Sequence, residues 1–471
     1  MELMSGIDAK FLYSETPTAH MHTIKIAVSD VSSMSGGFSF GVFVSVLDEQ
    51  LGRLPLFRRR IVTVPLALGH PVWIDDPNFN LAHHVGHRVL SAPGSSRQLA
   101  EQVADIASAA LPRDRPLWSF DVIEGLAGGR IAVVAKVHHA VADGAAAVAL
   151  LQNVVAGLGD LEAPGPVDPW SPEAIPSRRS LIKLALRQHV ARLKQLPSLA
   201  RRSVRGARAS ESHRRHVDVR PPLPMQTPRT SFNVSLSAKR TFAMATVELE
   251  KLKEVRRSSG ATLNDVYLTV CGGAIRSYLA SRHEFPEKSL VASVPVSIGD
   301  DAGRLAGNRV DNLYVTIGTD IADPVERLEH VRQVTRASKD VRDALGNELL
   351  EQRAEIVPPQ LYTSTVRLWS RSHLADHLRP PINLVASNVP GPRETITFGD
   401  VALEHLYSVG PILEGIGLNL TAWSYVDELS ISALGSPESL PDPWLLVERI
   451  GPALDELLAA LGAELPRASS S

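Results

Sequence analysis

Two histidines stand side by side at the end of an apolar run. A neutral imidazole is the side chain best suited to take a proton from a hydroxyl near neutral pH. The run is Ile131-Ala132-Val133-Val134-Ala135, and Lys136-Val137-His138-His139-Ala140-Val141-Ala142-Asp143-Gly144 follows it. A short apolar run of this kind reads as a buried strand, and the alanine-rich stretch 145–158 reads as a helix. Strand ends that precede a helix are common places for catalytic groups. Asp143, four residues after His139, can hold the loop by an ion pair or hydrogen bond. Gly144 has no Cβ and permits an unusual backbone angle or the close approach of a ligand. A zinc site calls for histidines at helical i, i+4 spacing and a third ligand, whereas adjacent histidines point apart, so no metal is expected here. A structural histidine pair closing a strand end accounts for the same residues. The pattern alone leaves the base and the structural pair both open.

Other chemistry-bearing residues read as decoys. Gly37-Phe38-Ser39-Phe40-Gly41 has the spacing of a serine-hydrolase elbow, but a polar turn precedes it instead of a buried strand. His83, His84 and His87 lack the glutamate of a metalloprotease helix and are expected to pack or face solvent. His20 and His22 alternate as on a strand, which suits a pocket wall or a core equally. Cys271, the only cysteine, follows an apolar stretch and reads as a buried core residue rather than a nucleophile. One cysteine makes no intramolecular disulfide, so a reducing, cytoplasmic compartment is expected. No phosphate-binding glycine loop is present in the sequence.

The elements that must position these residues fall into zones. The chain has 471 residues, with 44% hydrophobic and 21% charged, ordinary values for a large globular protein. Residues 1–159 alternate helix and strand signals. Residues 160–230 are rich in Pro, Arg and Ser and read as a crossover linker. Residues 231–465 again look globular, and 466–471 read as a disordered tail. Net charge is −2, yet 178–215 carries twelve Lys/Arg and a single acid, Glu211. So local a strip suggests one attachment surface and no nucleic-acid partner. Within it, 180–196 has a helical pattern, with Ile182, Leu186, Leu193 and Leu196 on one face and Pro197 ending or kinking it. The strip is expected either to pack its apolar face on the domains or to rest on anionic lipid. Thr262 reads as the N-cap of a long buried helix over 266–279, with Asp265 in the capping-box position. A second helix is expected over 444–461. No secretory signal and no apolar run long enough to span a membrane are expected.

His-His-x-x-x-Asp-Gly is the signature of the CoA-dependent acyltransferase superfamily. Across nearly its whole length the chain resembles the bacterial wax ester synthase/diacylglycerol acyltransferase family. The resemblance is carried by Ile7 to Leu12, Glu15-Thr16-Pro17-Thr18, His20-Met21-His22, Pro116-Leu117-Trp118, Glu124-Gly125-Leu126 and the histidine loop. It continues in Asn264-Asp265-Val266, Val294-Pro295-Val296-Ser297, Gly307-Asn308-Arg309, Ser387-Asn388-Val389-Pro390-Gly391-Pro392, Gly417-Leu418-Asn419 and Ser424-Tyr425. The stretch 427–434 departs from a more glycine-rich pattern, and the superfamily's Asp-Phe-Gly-Trp-Gly motif is absent, as in the wax ester branch.

The resemblance implies an α/β fold of sandwich type, with two chloramphenicol-acetyltransferase-like domains around a central substrate tunnel. It implies direct acyl transfer from long-chain acyl-CoA to diacylglycerol or a fatty alcohol. His139 would be the general base, His138 would shape the loop, and Asp143 with Gly144 would support it. Asn264 and Asp265 would contact substrate. No metal or resident cofactor is implied, since CoA arrives with the acyl group. Peripheral contact with the inner membrane or a lipid droplet follows as an expectation. Two other readings stay open: acyl transfer to a polyketide or glycolipid hydroxyl, and a non-enzymatic lipid-surface protein with a vestigial site.

Overall fold

The computed structural model describes residues 1–32, 34, 36–51, 55–141, 172–216, 219–222, 225, 227–297, 310–345, 358–398 and 401–464. In the N-terminal half the order is β1 (Glu2–Leu3), α1 (Gly6–Ser14), β2 (His22–Asp30), α2 (Phe40–Leu51), β3 (Arg59–Val62), β4 (Val72–Asp75), β5 (Val85–Val89), α3 (Ser96–Ser108), β6 (Trp118–Leu126), β7 (Arg130–His138) and the linker helix α4 (Arg178–His216). The C-terminal half runs β8 (Thr241–Glu248), α5 (Leu249–Ser259), α6 (Leu263–Ser281), β9 (Val291–Ser297), β10 (Val310–Thr316), α7 (Pro324–Leu345), α8 (Pro359–Arg371), β11 (Leu384–Val389), β12 (Thr397–Phe398), β13 (Val401–Val409), β14 (Asn419–Tyr425), β15 (Glu428–Gly435), α9 (Trp444–Val447) and α10 (Ile450–Glu464).

Two six-stranded sheets carry the fold. The first has the order β12-β13-β2-β7-β6-β5, the second β10-β9-β11-β14-β15-β8. The apolar run at 131–135 is indeed a strand, and it lies mid-sheet between β2 and β6. Successive side chains of a strand point to opposite faces. On β7, Ala132 and Val134 therefore join Ile24, Ile26 and Val28 of β2 in a core against Leu99, Val103 and Ile106 of α3. His138 and His22 end the same face, directly opposite each other in the antiparallel register.

The halves are interleaved. β12 and β13 belong by sequence to the C-terminal zone but complete the N-terminal sheet, with Leu406 opposite Ala27 and Val409 opposite Ile24. Lys25 of β2 secures the joint. Its buried ammonium donates to Ser408 Oγ of β13 at 2.5 Å and lies 4.5 Å over the Trp423 ring of β14. The C-terminal core wraps α6, which lies so close to the end of β10 that a Cβ at Gly272 would meet the Ile317 carbonyl at 2.0 Å. Gly391 likewise lets its segment pass against the Ser424 carbonyl.

Three local expectations need correction. Pro197 does not end the linker helix, which continues to His216, because one proline deletes a single backbone bond and good helix formers flank it on both sides. Of the face anticipated, Ile182 is half-buried, and the side chains of Leu193 and Leu196 lie outside the described residues. Leu181 and Ala185 pack on Val64, Val72 and Ile74, whereas Leu186 is exposed. The C-terminal helix is two helices, since Pro452 favours the first turn of α10 and restarts the chain there. The tail 466–471 lies outside the described residues. Among the described residues no helix is long and apolar enough to cross a membrane.

Candidate active site

His139 sits on a short turn where β7 ends. Three backbone amides fix that turn. His139 N donates to Met21 O at 2.7 Å, Ala140 N to His138 Nδ1 at 3.0 Å, and Val141 N to His138 O at 2.9 Å. The two histidines part company here. The half-buried His139 ring stacks on Phe11 of α1, with centroids 4.1 Å apart and planes 12° apart. The His138 ring turns inward and is fully buried.

Behind the turn lies a cluster that the sequence reading left without a role. Glu15 caps the C-terminus of α1 and turns its carboxylate inward. Its Oε2 is 3.6 Å from His138 Nε2 and pairs with Arg113. Its Oε1 is 3.8 Å from His22 Nε2 and 3.9 Å from His20 Nδ1. The His20 and His22 rings stack at 5.4 Å, and His22 meets His138 edge-on at 6.0 Å. Among the described residues no such group has metal-ligand geometry.

Burial dominates the electrostatics. It lowers the pKa of His138, although the Glu15 carboxylate 3.6 Å away acts the other way. It holds His22 well below the usual value, helped by the charges of His138 and Lys136. It lowers His20 too, with Arg240 adding to the effect. Lys136 is brought down to about 8 by burial, while its ammonium caps α3 through the Ile106 and Ala109 carbonyls. Burial alone would raise Glu15. The contact with His138, then the charges of Arg113 and His22, outweigh it and hold the carboxylate well below its usual range. Near neutral pH the rings are uncharged and the result is one ionised carboxylate, paired with Arg113, among neutral rings; the histidine charges act on it only in acid.

The other anticipated site residues are spread out. Asp143 and Gly144 lie outside the described residues. Asn264 and Asp265 open α6 in the C-terminal half. Both Asp265 oxygens are engaged: Oδ2 accepts from Thr262 N and Oγ1, and Oδ1 accepts from Thr335 Oγ1 of α7 at 2.6 Å. Asp265 thus completes the expected capping box and ties α6 to α7. Asn264 is half-buried on the same first turn. The decoys behave as packing residues. His84 stacks on Trp118, His87 meets Glu124, and the Ser39 carbonyl accepts from Phe43 at the start of α2. Cys271 is buried, and burial pushes its thiol up to about 12, which removes it as a nucleophile.

Sequence reasoning had Glu15, His20 and His22 in view without their function. The signal was a lone acid just after a helix, followed by alternating histidines entering an apolar strand. Phe11 and Arg113 gave no signal, since each reaches the site only through folding.

Two interleaved sheets with a histidine turn at a central strand end have the fold shared by two-domain acyltransferases and peptide-synthetase condensation domains. The wax ester synthase/diacylglycerol acyltransferase from Marinobacter aquaeolei superposes with a TM-score of 0.67 at 22% identity, covering 98% of this chain and 100% of its own. The first condensation domain of the CDA synthetase gives 0.57 at 17% identity, covering 98% and 95%. The chain belongs to the wax ester synthase/diacylglycerol acyltransferase family: the catalytic-domain profile of that family matches residues 4–267, and the WS/DGAT C-terminal domain matches 306–458. A Mycobacterium tuberculosis protein named as a candidate diacylglycerol O-acyltransferase is 38% identical over 444 residues, which is 94% of this chain and 93% of the relative. Another from the same organism is 34% identical over 470 residues, 98% of each. The protein is an acyltransferase.

The buried cluster makes stability sensitive to acid. His20, His22 and His138 have folded pKa values below the usual 6.5, so on acidification the unfolded chain binds protons that the folded chain refuses. Their contribution is complete above 6.5 and declines as the pH falls through it. Glu15 acts in the same direction below its usual 4.5. The thermal unfolding midpoint therefore falls between about pH 7.5 and about pH 5. His22→Phe makes the fall shallower. A midpoint that stays level or rises contradicts this account.

Proposed function

We propose that the protein transfers a long-chain acyl group from acyl-CoA to the hydroxyl of diacylglycerol, giving triacylglycerol, and to a fatty alcohol, giving a wax ester. The observation that supports this most is the His139 turn within a chain of this family. His139 takes the proton of the acceptor hydroxyl as the oxygen attacks the thioester carbonyl. The tetrahedral intermediate collapses, the C–S bond breaks, and the leaving CoA thiolate receives the proton from the imidazolium. Every atom is supplied by the two substrates and one side chain, so no metal or resident cofactor is required. Stacking on Phe11 fixes the ring plane of His139. His138 shapes the turn, and we assign Asp143 and Gly144 to its support. Asn264 stays a candidate substrate contact, and Asp265 holds the helix that carries it.

His139→Ala is expected to lower acyl transfer by roughly 10³-fold, with the circular dichroism spectrum retained. Labelled palmitoyl-CoA, offered with diacylglycerol, fatty alcohols, and polyketide or glycolipid alcohols, identifies the ester formed. Undiminished transfer by His139→Ala sinks the base assignment. Esters made only from the last group of alcohols sink the acceptor assignment.

A lipid acceptor has to be collected from a lipid surface, and we infer peripheral contact at one face. Leu66, Leu361 and Leu368 are 79%, 65% and 62% exposed. Gln360 at the start of α8 donates to the Leu66 carbonyl, and Tyr362 meets Ser14 of α1 at 3.0 Å, so this face adjoins the helix that carries Phe11. The turn bearing Leu66 also neighbours α4 through Leu181 and Ala185, which brings the exposed Lys183 and Arg187 alongside. Exposed leucines flanked by cations suit an anionic membrane or lipid-droplet surface. The triple variant Leu66→Ser, Leu361→Ser, Leu368→Ser should lose flotation with anionic liposomes while transfer to a detergent-dispersed acceptor persists. Unchanged flotation excludes this face.

A further inference from the structure

We propose that Glu15 is a positioning residue for the transfer reaction: its carboxylate selects the His138 tautomer that holds the turn under His139. This rests on His139 being the base.

The geometry fixes the direction of the Ala140 hydrogen bond and the sign of the Glu15 contact. Ala140 N–H donates to His138 Nδ1 at 3.0 Å, so Nδ1 offers a lone pair. The ring is fully buried and neutral, so its one proton belongs on Nε2. Nε2 faces Glu15 Oε2 at 3.6 Å, longer than a hydrogen bond, so the carboxylate acts on it through its charge. An ionised carboxylate only accepts, and Arg113, paired with the same oxygen, keeps this one charged. The opposite tautomer would set an Nδ1–H against the Ala140 N–H and a lone pair against the carboxylate. Both contacts would then repel. The carboxylate acts on one side of the ring, and the amide next to His139 reads the result on the other. A carboxylate that orients a histidine in this way fixes both tautomer and ring angle.

The surroundings leave this task to Glu15. His20 and His22 approach its second oxygen at 3.9 and 3.8 Å, and Lys136 and Arg240 add positive charge nearby. Among the described residues Glu15 is the acid that contacts His138. Two of the three turn amides bond to carbonyl oxygens, of Met21 and of His138, and do not depend on protonation. The amide of Ala140 bonds to the ring nitrogen, so its bond is the one a change of tautomer breaks.

The test combines nitrogen NMR of ¹⁵N-histidine-labelled protein with kinetics of Glu15→Gln, Glu15→Asp, His139→Ala and the double variant Glu15→Gln/His139→Ala. In the wild type, His138 is expected as the Nε2–H tautomer. In Glu15→Gln, whose amide can either donate or accept, it becomes a mixture. The expected loss in kcat is on the order of 10- to 100-fold with KM nearly unchanged, and Glu15→Asp recovers part of it. In the His139→Ala background, Glu15→Gln should cost nothing more, because the residue acts through His139. An Nδ1–H tautomer or an imidazolium in the wild type overturns the proposal, whatever the variants do. Losses that multiply in the double variant overturn it as well, since they mark a general structural role. If His139→Ala alone retains full activity, the base assignment has failed, and the tautomer spectra still decide the claim about Glu15 and His138.

Discussion

Everything at the candidate site depends on the pairing of β2 with β7. The register sets His22 opposite His138, and the strand entering β2 offers the Met21 carbonyl to the His139 amide at 2.7 Å. A slip of one residue would move each side chain of β7 to the other face of the sheet. His138 would leave the buried cluster, and His139 would take its place. The register is held by the different character of two buried faces: Ile24, Ile26 and Val28 of β2, with Ala132 and Val134 of β7, face α3, whereas the other face of β2 buries the polar Thr23, Lys25 and Ser29 beside Ala27. The division between a buried and a half-buried histidine therefore follows from the period-two geometry of a strand. Two adjacent histidines at a strand end cannot share a face.

The same strand links the two halves. β2 pairs with β7 on one side and with β13, a strand supplied by the C-terminal zone, on the other. Lys25 and its contacts to Ser408 and Trp423 make that joint polar as well as apolar. A buried ammonium is tolerated only with such partners. Met21, whose carbonyl holds the His139 amide, and Lys25, which secures the joint, lie four residues apart along the chain, so the His139 turn and the joint are braced by one stretch of backbone.

How much of this could be read in the sequence depends on distance along the chain. The 131–135 strand, the histidine pair after it and the capping box of Thr262 and Asp265 are local patterns, and each was legible. The exchange of β13 into the first sheet was not. Lys25 and Ser408 are 383 positions apart, and nothing in either segment names its partner. The cluster under the turn was half legible. Glu15, His20 and His22 are conspicuous as polar residues entering an apolar strand, but their meeting with His138 and Arg113 exists only in the fold. Pro197 misled because a proline weakens a helix locally, and the chain on either side was helical enough to continue. Asp143 and Gly144, plain in the sequence, lie outside the described residues.

On the proposed function, His139 acts as a single base in direct transfer between two bound substrates. The conspicuous nucleophiles are withdrawn from the chemistry: Cys271 is buried with its thiol protonated, and Ser39 stands at a helix start. Covalent catalysis splits a reaction into two halves and leaves a ping-pong signature, whereas direct transfer does not. Initial rates with acyl-CoA and acceptor both varied test this most directly. Double-reciprocal lines that intersect, with no acyl mass added to the protein by acyl-CoA alone, are the predicted result. Parallel lines together with an acylated protein would contradict it.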